Sequence, residues 1–221
     1  MGFHSEPDCD DFRLVSQVFD RAVKELESAG AIVVPLPEIP RLAELLAKRA
    51  SDGRLEEAWN LYYGRSENPP YPTLEAMMQS PDYAKVHVSK YAGTALTGPA
   101  AYAEYLLARE ELMFSVMKIM ADLQADAIVH KTVEHQPTLI SEGLGEPYYD
   151  MRGTTHINTY LVHVPSISVP AGFTSAGLPV GITFLGRPFS DPEMVKLAYA
   201  YEQATGYRCP PESAPFLPGE P

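Results

Sequence analysis

From Asp10 onward, apolar side chains recur at helical spacing. Phe12, Val15, Phe19, Ala22, Val23 and Leu26 share one stripe behind the acidic start Asp10–Asp11, and Gly30 stops the run. The stretch that follows, Ala31–Leu36 (AIVVPL), has the length and β-branched content of a short buried strand. A helix followed by a strand is the first sign of a layered α/β fold. Two shorter helical patterns come next, Leu42, Leu45, Leu46 and Arg49, then Leu55, Ala58, Trp59 and Tyr62. Asn68–Pro72 (NPPYP) must be a loop, because three prolines in five residues cannot extend a helix. Gly98–Pro99 opens the longest stripe, from Tyr102 through Leu106, Leu112, Val116 and Met120 to Leu123. Its methionines suit core packing better than a cofactor box.

Beyond that stripe, Asp126–Val129 (DAIV) predicts a strand, and Tyr148–His163 a further helix or loop. Ser166–Gly186 then changes period. Ile167, Val169 and Ala171 alternate with Ser168 and Pro170, and Val180, Ile182 and Phe184 alternate with Gly181, Thr183 and Leu185. Gly177–Leu178–Pro179 supplies a turn between the two runs, so the stretch predicts a hairpin. Ser190–Glu193 has capping-box spacing with a proline in the first turn of a last helix, which carries Met194, Leu197, Ala198, Tyr201 and Ala204 to Gly206. Residues 212–221 read as an irregular, Pro-rich tail.

The apolar share of 45% is that of a globular chain. A formal net charge of −12 argues against nucleic-acid or anionic-membrane partners, which select for Lys/Arg surplus. No apolar run approaches the ~18 residues of a membrane span. The acidic N-terminus lacks a signal-peptide core, and Glu6 stands where a myristoylation pattern needs Ser or Thr. Cys9 and Cys209 form neither a disulfide framework nor a metal spacing, so a reducing, cytoplasmic compartment is expected.

Candidate chemistry is sparse. His130, His135, His156 and His163, with Glu134, invite a metal site, but no HxxxH or HExxH spacing is present, and ordinary hydrogen-bonded histidines are favoured. His130 and His135, five apart, would lie on opposite faces of a strand. Ser141 lacks a GxSxG turn, and Thr154, Thr155 and Ser168 have no base fixed nearby in sequence. Gly143–Leu144–Gly145 is too short for a phosphate loop. Tyr62, Tyr63, Tyr71, Tyr83 and Tyr91 fit either an apolar pocket wall or, the favoured reading, a helical subdomain with half-buried tyrosines.

Four pieces in order and spacing carry a family resemblance: VPAGF (Val169–Phe173), GLPVG (Gly177–Gly181), GRPFSD (Gly186–Asp191) and AYEQAT (Ala200–Thr205). Together they resemble the C-terminal segment of the amidase signature family. Ala22–Pro40 is similar to the family's helix and strand after its catalytic serines. Ala125–Thr132 is similar to its strand ending in Pro-Thr, with Lys131 in place of the proline. Where the family has Asn-x-x-Gly-x-Pro, this chain has Tyr160, His163 and Pro165.

The resemblance implies an α/β fold, the C-terminal part of an α/β/α sandwich around a mixed β-sheet. Residues 37–98 would form a helical insertion and residues 99–211 the core helix, strands and C-terminal helix. Family members hydrolyse amides with a Ser, a cis-Ser and a Lys. A neutral Lys takes a proton relayed from the nucleophile, and backbone N–H groups hold the oxyanion. No GGSSGG-like stretch and no Ser-Ser pair occurs in the 221 residues, and Lys131 does not match the family's base. The chain is therefore expected to contribute scaffold and part of a pocket, to carry no catalytic residue, cofactor or metal, and to be inactive alone. Its partners would be a small amide substrate in the complete enzyme and an N-terminal amidase half, or a second copy. A non-catalytic binding or regulatory module on the same fold remains an alternative, and a His-metal hydrolase a further one. As substrate-binding candidates, Thr132 and His135 follow a strand end, where open α/β sheets place ligands. Tyr160 and His163 occupy the departing motif.

Overall fold

The computed structural model describes residues 10–51, 55–81, 83, 96–137, 141 and 164–211. In chain order the elements are α1 (Asp10–Ser28), α2 (Leu42–Ala47), β1 (Ala50–Ser51), α3 (Leu55–Tyr63), α4 (Leu74–Met78), β2 (Leu96–Thr97), α5 (Pro99–Asp122), β3 (Ile128–Lys131), β4 (Ser166–Phe173), β5 (Pro179–Leu185) and α6 (Asp191–Thr205). They group into two units, one of residues 1–38, 116–136 and 151–221, the other of residues 39–115 and 137–150.

The first unit is built on an antiparallel sheet of order β3–β5–β4. Its register lines up Val129, Phe184 and Ile167 in one row and His130, Thr183 and Ser168 in the next. Because side chains alternate between faces, the rows do too. One face presents Val169, Ala171, Val180, Ile182 and Phe184 to Val15, Val18 and Ala22 of α1 and to Met194, Ala198 and Tyr201 of α6. Burying each large apolar side chain there contributes about 1.5–3 kcal/mol. The apolar stripe of α1 and the alternation of the hairpin thus meet as their periods predict.

Polar groups pin the hairpin onto α1. Gly172 sits at a β-bulge with φ 104°, and a Cβ on it would lie 2.3 Å from the Arg21 guanidinium and 3.2 Å from the Tyr207 ring. Arg21 donates to the Ala171 carbonyl at 3.0 Å. The Glu25 carboxylate accepts from the Tyr201 hydroxyl at 2.9 Å and from the Tyr207 hydroxyl. Burial, with that hydrogen bond to Glu25, holds the Tyr201 phenol above its ordinary range; at Tyr207 the bond to Glu25 leads and burial adds to it.

Helix α5 buries Ala108, Leu112, Val116 and Met120, a four-residue repeat on one face. In the second unit, β1 and β2 pair in parallel, Ala50 with Leu96 and Ser51 with Thr97. Arg41 donates to Glu111 at 2.6 Å and to Glu44 at 2.8 Å, and Lys48 to Glu104 at 2.9 Å, so surface ion pairs link α2 to α5. Trp59, Tyr62 and Tyr63 stack along α3, with Tyr62 exposed and Tyr63, Tyr71 and Tyr83 half-buried. Tyr91 lies outside the described residues.

Three local expectations are corrected. Ala31–Leu36 is not a strand: it is irregular, with Ile32 92% and Val34 46% exposed. It pairs with no described strand, and Pro35 and Pro37 have no N–H to share. The strand expected at Asp126–Val129 runs instead over Ile128–Lys131. Residues 124–125 belong to the exit of α5, where Gln124 turns left-handed, Ala125 N–H bonds the Met120 carbonyl at 2.9 Å, and Arg187 holds the Ala125 carbonyl at 2.6 Å. The capping box at α6 does not form either. The Ser190 hydroxyl donates back to the Arg187 carbonyl at 2.7 Å and caps nothing. Tyr148–His163 lies outside the described residues.

Candidate functional site

Behind the packed face, the sheet carries a row of hydroxyls. The Thr132 and Thr183 hydroxyl oxygens lie 2.9 Å apart, and those of Thr183 and Ser168 2.8 Å apart, one continuous chain across β3, β5 and β4. Thr183 is 1% exposed, Thr132 half-buried and Ser168 exposed, so the chain runs from the interior to the surface. Gly181 makes room for it, because a Cβ there would sit 2.9 Å from the Thr132 hydroxyl and 3.3 Å from the Val169 carbonyl. Three hydroxyls have three protons and the two contacts use two, which leaves one O–H to donate outward.

The segment after β3 is tied at both ends. Thr132 N–H bonds the Gly181 carbonyl at 3.0 Å, and the Gln136 amide donates to the Thr174 hydroxyl at 2.6 Å in the hairpin turn. Between these ties, Glu134 and His135 are buried. The Phe12 ring leans on His135, centroids 5.8 Å apart, and the Lys131 Nζ lies 4.0 Å from its centroid. Lys131 also donates to the Ser16 hydroxyl at 2.7 Å. Burial draws Lys131 below the usual lysine range, with Asp20 opposing. The Lys131–Ser16 pair fastens α1 to β3.

Thr132 and His135 therefore come together on one short, doubly anchored segment. His135 stands beyond the end of β3, so it shares no strand face with His130, whose ring Nδ1 meets the Lys131 carbonyl at 2.7 Å. Tyr160 and His163 lie outside the described residues. Ser168 and Thr183 are visible in sequence as alternating polar positions, whereas Gln136 and Ser16 are not singled out. Their roles come from register and from contacts across 115 residues of chain in the case of Ser16 and Lys131. Among the described residues no group of His, Cys, Asp and Glu could hold a metal ion, and no helix is long and apolar enough to cross a membrane.

The Amidase family model matches residues 9–195. The chain belongs to the amidase family. It is 28% identical over 207 residues to a glutamyl-tRNA(Gln) amidotransferase protein of Dehalococcoides mccartyi, a match covering 87% of this chain and 42% of that protein. It is also 28% identical to a probable amidase of Arabidopsis thaliana, covering 89% of this chain and 38% of that one. Among solved structures, the peptide amidase of Stenotrophomonas maltophilia is 26% identical with a TM-score of 0.55, over 89% of this chain and 41% of that one. An amidase family protein of Bacillus anthracis shares the α/β fold at a TM-score of 0.63 and 19% identity, over 93% of this chain and 38% of that one. The chain thus spans about two-fifths of the length of the curated relatives it matches.

In this amidase chain the hydroxyl row and the segment Thr132–Gln136 can orient an amide or carboxylate through hydrogen bonds. Among the described residues they are not joined by a serine with a free base and paired oxyanion donors, the set that acyl transfer needs.

Proposed function

We propose that this chain forms the C-terminal scaffold of an amidase-type hydrolase whose Ser, cis-Ser and Lys lie in a separate N-terminal portion. One observation carries the reading: the amidase match runs over residues 9–195, yet the 221 residues contain no Ser-Ser pair and no Gly/Ser-rich oxyanion stretch. Thr132, His135, Tyr160 and His163 would contribute to the pocket for a small amide substrate, with the hydroxyl row of Thr183 and Ser168 behind Thr132. No cofactor is needed for that chemistry. Alone, the chain would not hydrolyse amides.

Co-expression with amidase-family N-terminal halves from the same genome tests the proposal. The expected result is a stable complex that hydrolyses amides, while neither half does so alone. If the chain is monodisperse by light scattering and gains neither partner nor activity, the proposal fails, and a non-catalytic binding module is the reading left.

A further inference from the structure

Alternation along β3 turns Val129 and Lys131 to the face packed on α1 and His130 away from it. Lys131 thus brings an amine to the margin of an apolar core. It meets one side of α1, where Phe12, Ser16 and Phe19 stand at positions i, i+4 and i+7. Its Nζ lies 4.0 Å from the centroid of the Phe12 ring, 5.9 Å from that of Phe19 and 2.7 Å from the Ser16 hydroxyl. Lys131 is half-buried, not sealed, so a small reagent can reach this sleeve of two rings and a hydroxyl.

We propose that Lys131 is a covalent modification site, whose amine accepts acyl groups from small, uncharged thioesters. The phenyl rings and the net charge of −12 both favour an uncharged donor over an anionic one. In the step, the Nζ lone pair attacks the acyl carbon and the carbon–sulfur bond breaks. The sulfur leaves with that electron pair and takes up the proton that Nζ loses, so an amide and a thiol form with no redox partner. What separates Lys131 from the surface lysines is its surroundings. Burial draws it below the usual lysine range and so enlarges its share of neutral amine. Asp20 on α1 opposes this, as does the Phe12 ring face, and burial prevails. On its own segment the titratable neighbours are His130, Glu134 and His135, and β5, PVGITFL, carries none. Acylation removes the charge and leaves one N–H on Nζ, which weakens the hold on Ser16 and on the ring together. The tie between α1 and the strand leading into Thr132–Gln136 is loosened.

The test treats the full chain with S-acetyl-N-acetylcysteamine near neutral pH and follows each lysine by peptide mass spectrometry. Acetylation of Lys131 is expected to be at least ~3-fold faster than that of Lys24, Lys118 and Lys196, although those three are exposed and access alone favours them. In concentrated urea the four rates should converge. Asp20→Asn, at an exposed position, should speed the reaction at Lys131 and leave the other three as they were. Phe12→Ala opens the amine to water and should slow it towards theirs. The acetylated chain should melt about 2–4 °C lower than the untreated one, a shift that is absent when Lys131→Arg is treated in the same way. Lys131 reacting no faster than the exposed lysines overturns the proposal, and so does a preference that persists in urea. A preference unmoved by both Asp20→Asn and Phe12→Ala also overturns it, because the sleeve is then not its cause. None of these outcomes depends on an N-terminal portion, so the scaffold reading above stands or falls separately.

Discussion

Replacing Thr183 with valine removes a hydroxyl while keeping the shape, so its cost isolates the hydrogen-bond chain. Thr183 is 1% exposed and shares bonds of 2.9 Å with Thr132 and 2.8 Å with Ser168. Each such bond contributes a net ~0.5–1.5 kcal/mol. The extra apolar group of valine offsets part of that, and Ser168 can turn to water. Thr132 is half-buried and loses more. The expected cost of Thr183→Val is about 1–2 kcal/mol, against about 0.5 kcal/mol or less for Ser168→Ala at the exposed end. The sharper measure is coupling. Thr132→Ala and Thr183→Val together should cost less than the sum of the two by about 0.5–1.5 kcal/mol, because each single variant already breaks the shared bond. Urea titrations followed by far-UV circular dichroism measure all four species, provided the slopes agree. A coupling indistinguishable from zero, or a Thr183→Val chain as stable as wild type, would refute the hydroxyl row.

Two further tests concern the framework that holds the row. Gly172→Ala should destabilise by about 1–3 kcal/mol, since it combines a left-handed backbone with the space already filled by Arg21 and Tyr207; an unchanged melting temperature would contradict the bulge geometry. The phenols of Tyr201 and Tyr207 are raised in the folded chain, so they favour folding below the unfolded phenol value of ~10 and that contribution is lost as pH climbs through the folded values. Stability should therefore decline above pH ~10 and decline less in Tyr201→Phe, as pH-dependent urea midpoints would record; parallel curves for the two proteins would rule the linkage out.

How much of this was legible beforehand follows from how local each cause is. The stripe of α1 and the alternation of β4 and β5 are set within a few turns or residues and stand where the pattern placed them, while α5 buries Leu112, Val116 and Met120 of its expected stripe and leaves Leu123 38% exposed. The hydroxyl row needed register. Ser168 and Thr183 are unremarkable polar positions until the hairpin pairs them, and Thr132 joins only because β3 lies on the other side of β5. Lys131 and Ser16 meet across 115 residues, which no spacing rule reaches. Lys131 stands in the sequence as a departure from a motif, yet its bond to Ser16 ties β3 to α1 beside the packing of Val129. Ala31–Leu36 is a different case. Its composition demands a strand, and α1 hands it over in the open, but a strand is a property of two segments and only one of them is present among the described residues. Helices α1, α5 and α6 each bury an apolar face inside this chain. The segment from Ile32 to Leu36 does so only in part: Val33 and Leu36 are half-buried, while Ile32 stays 92% and Val34 46% exposed.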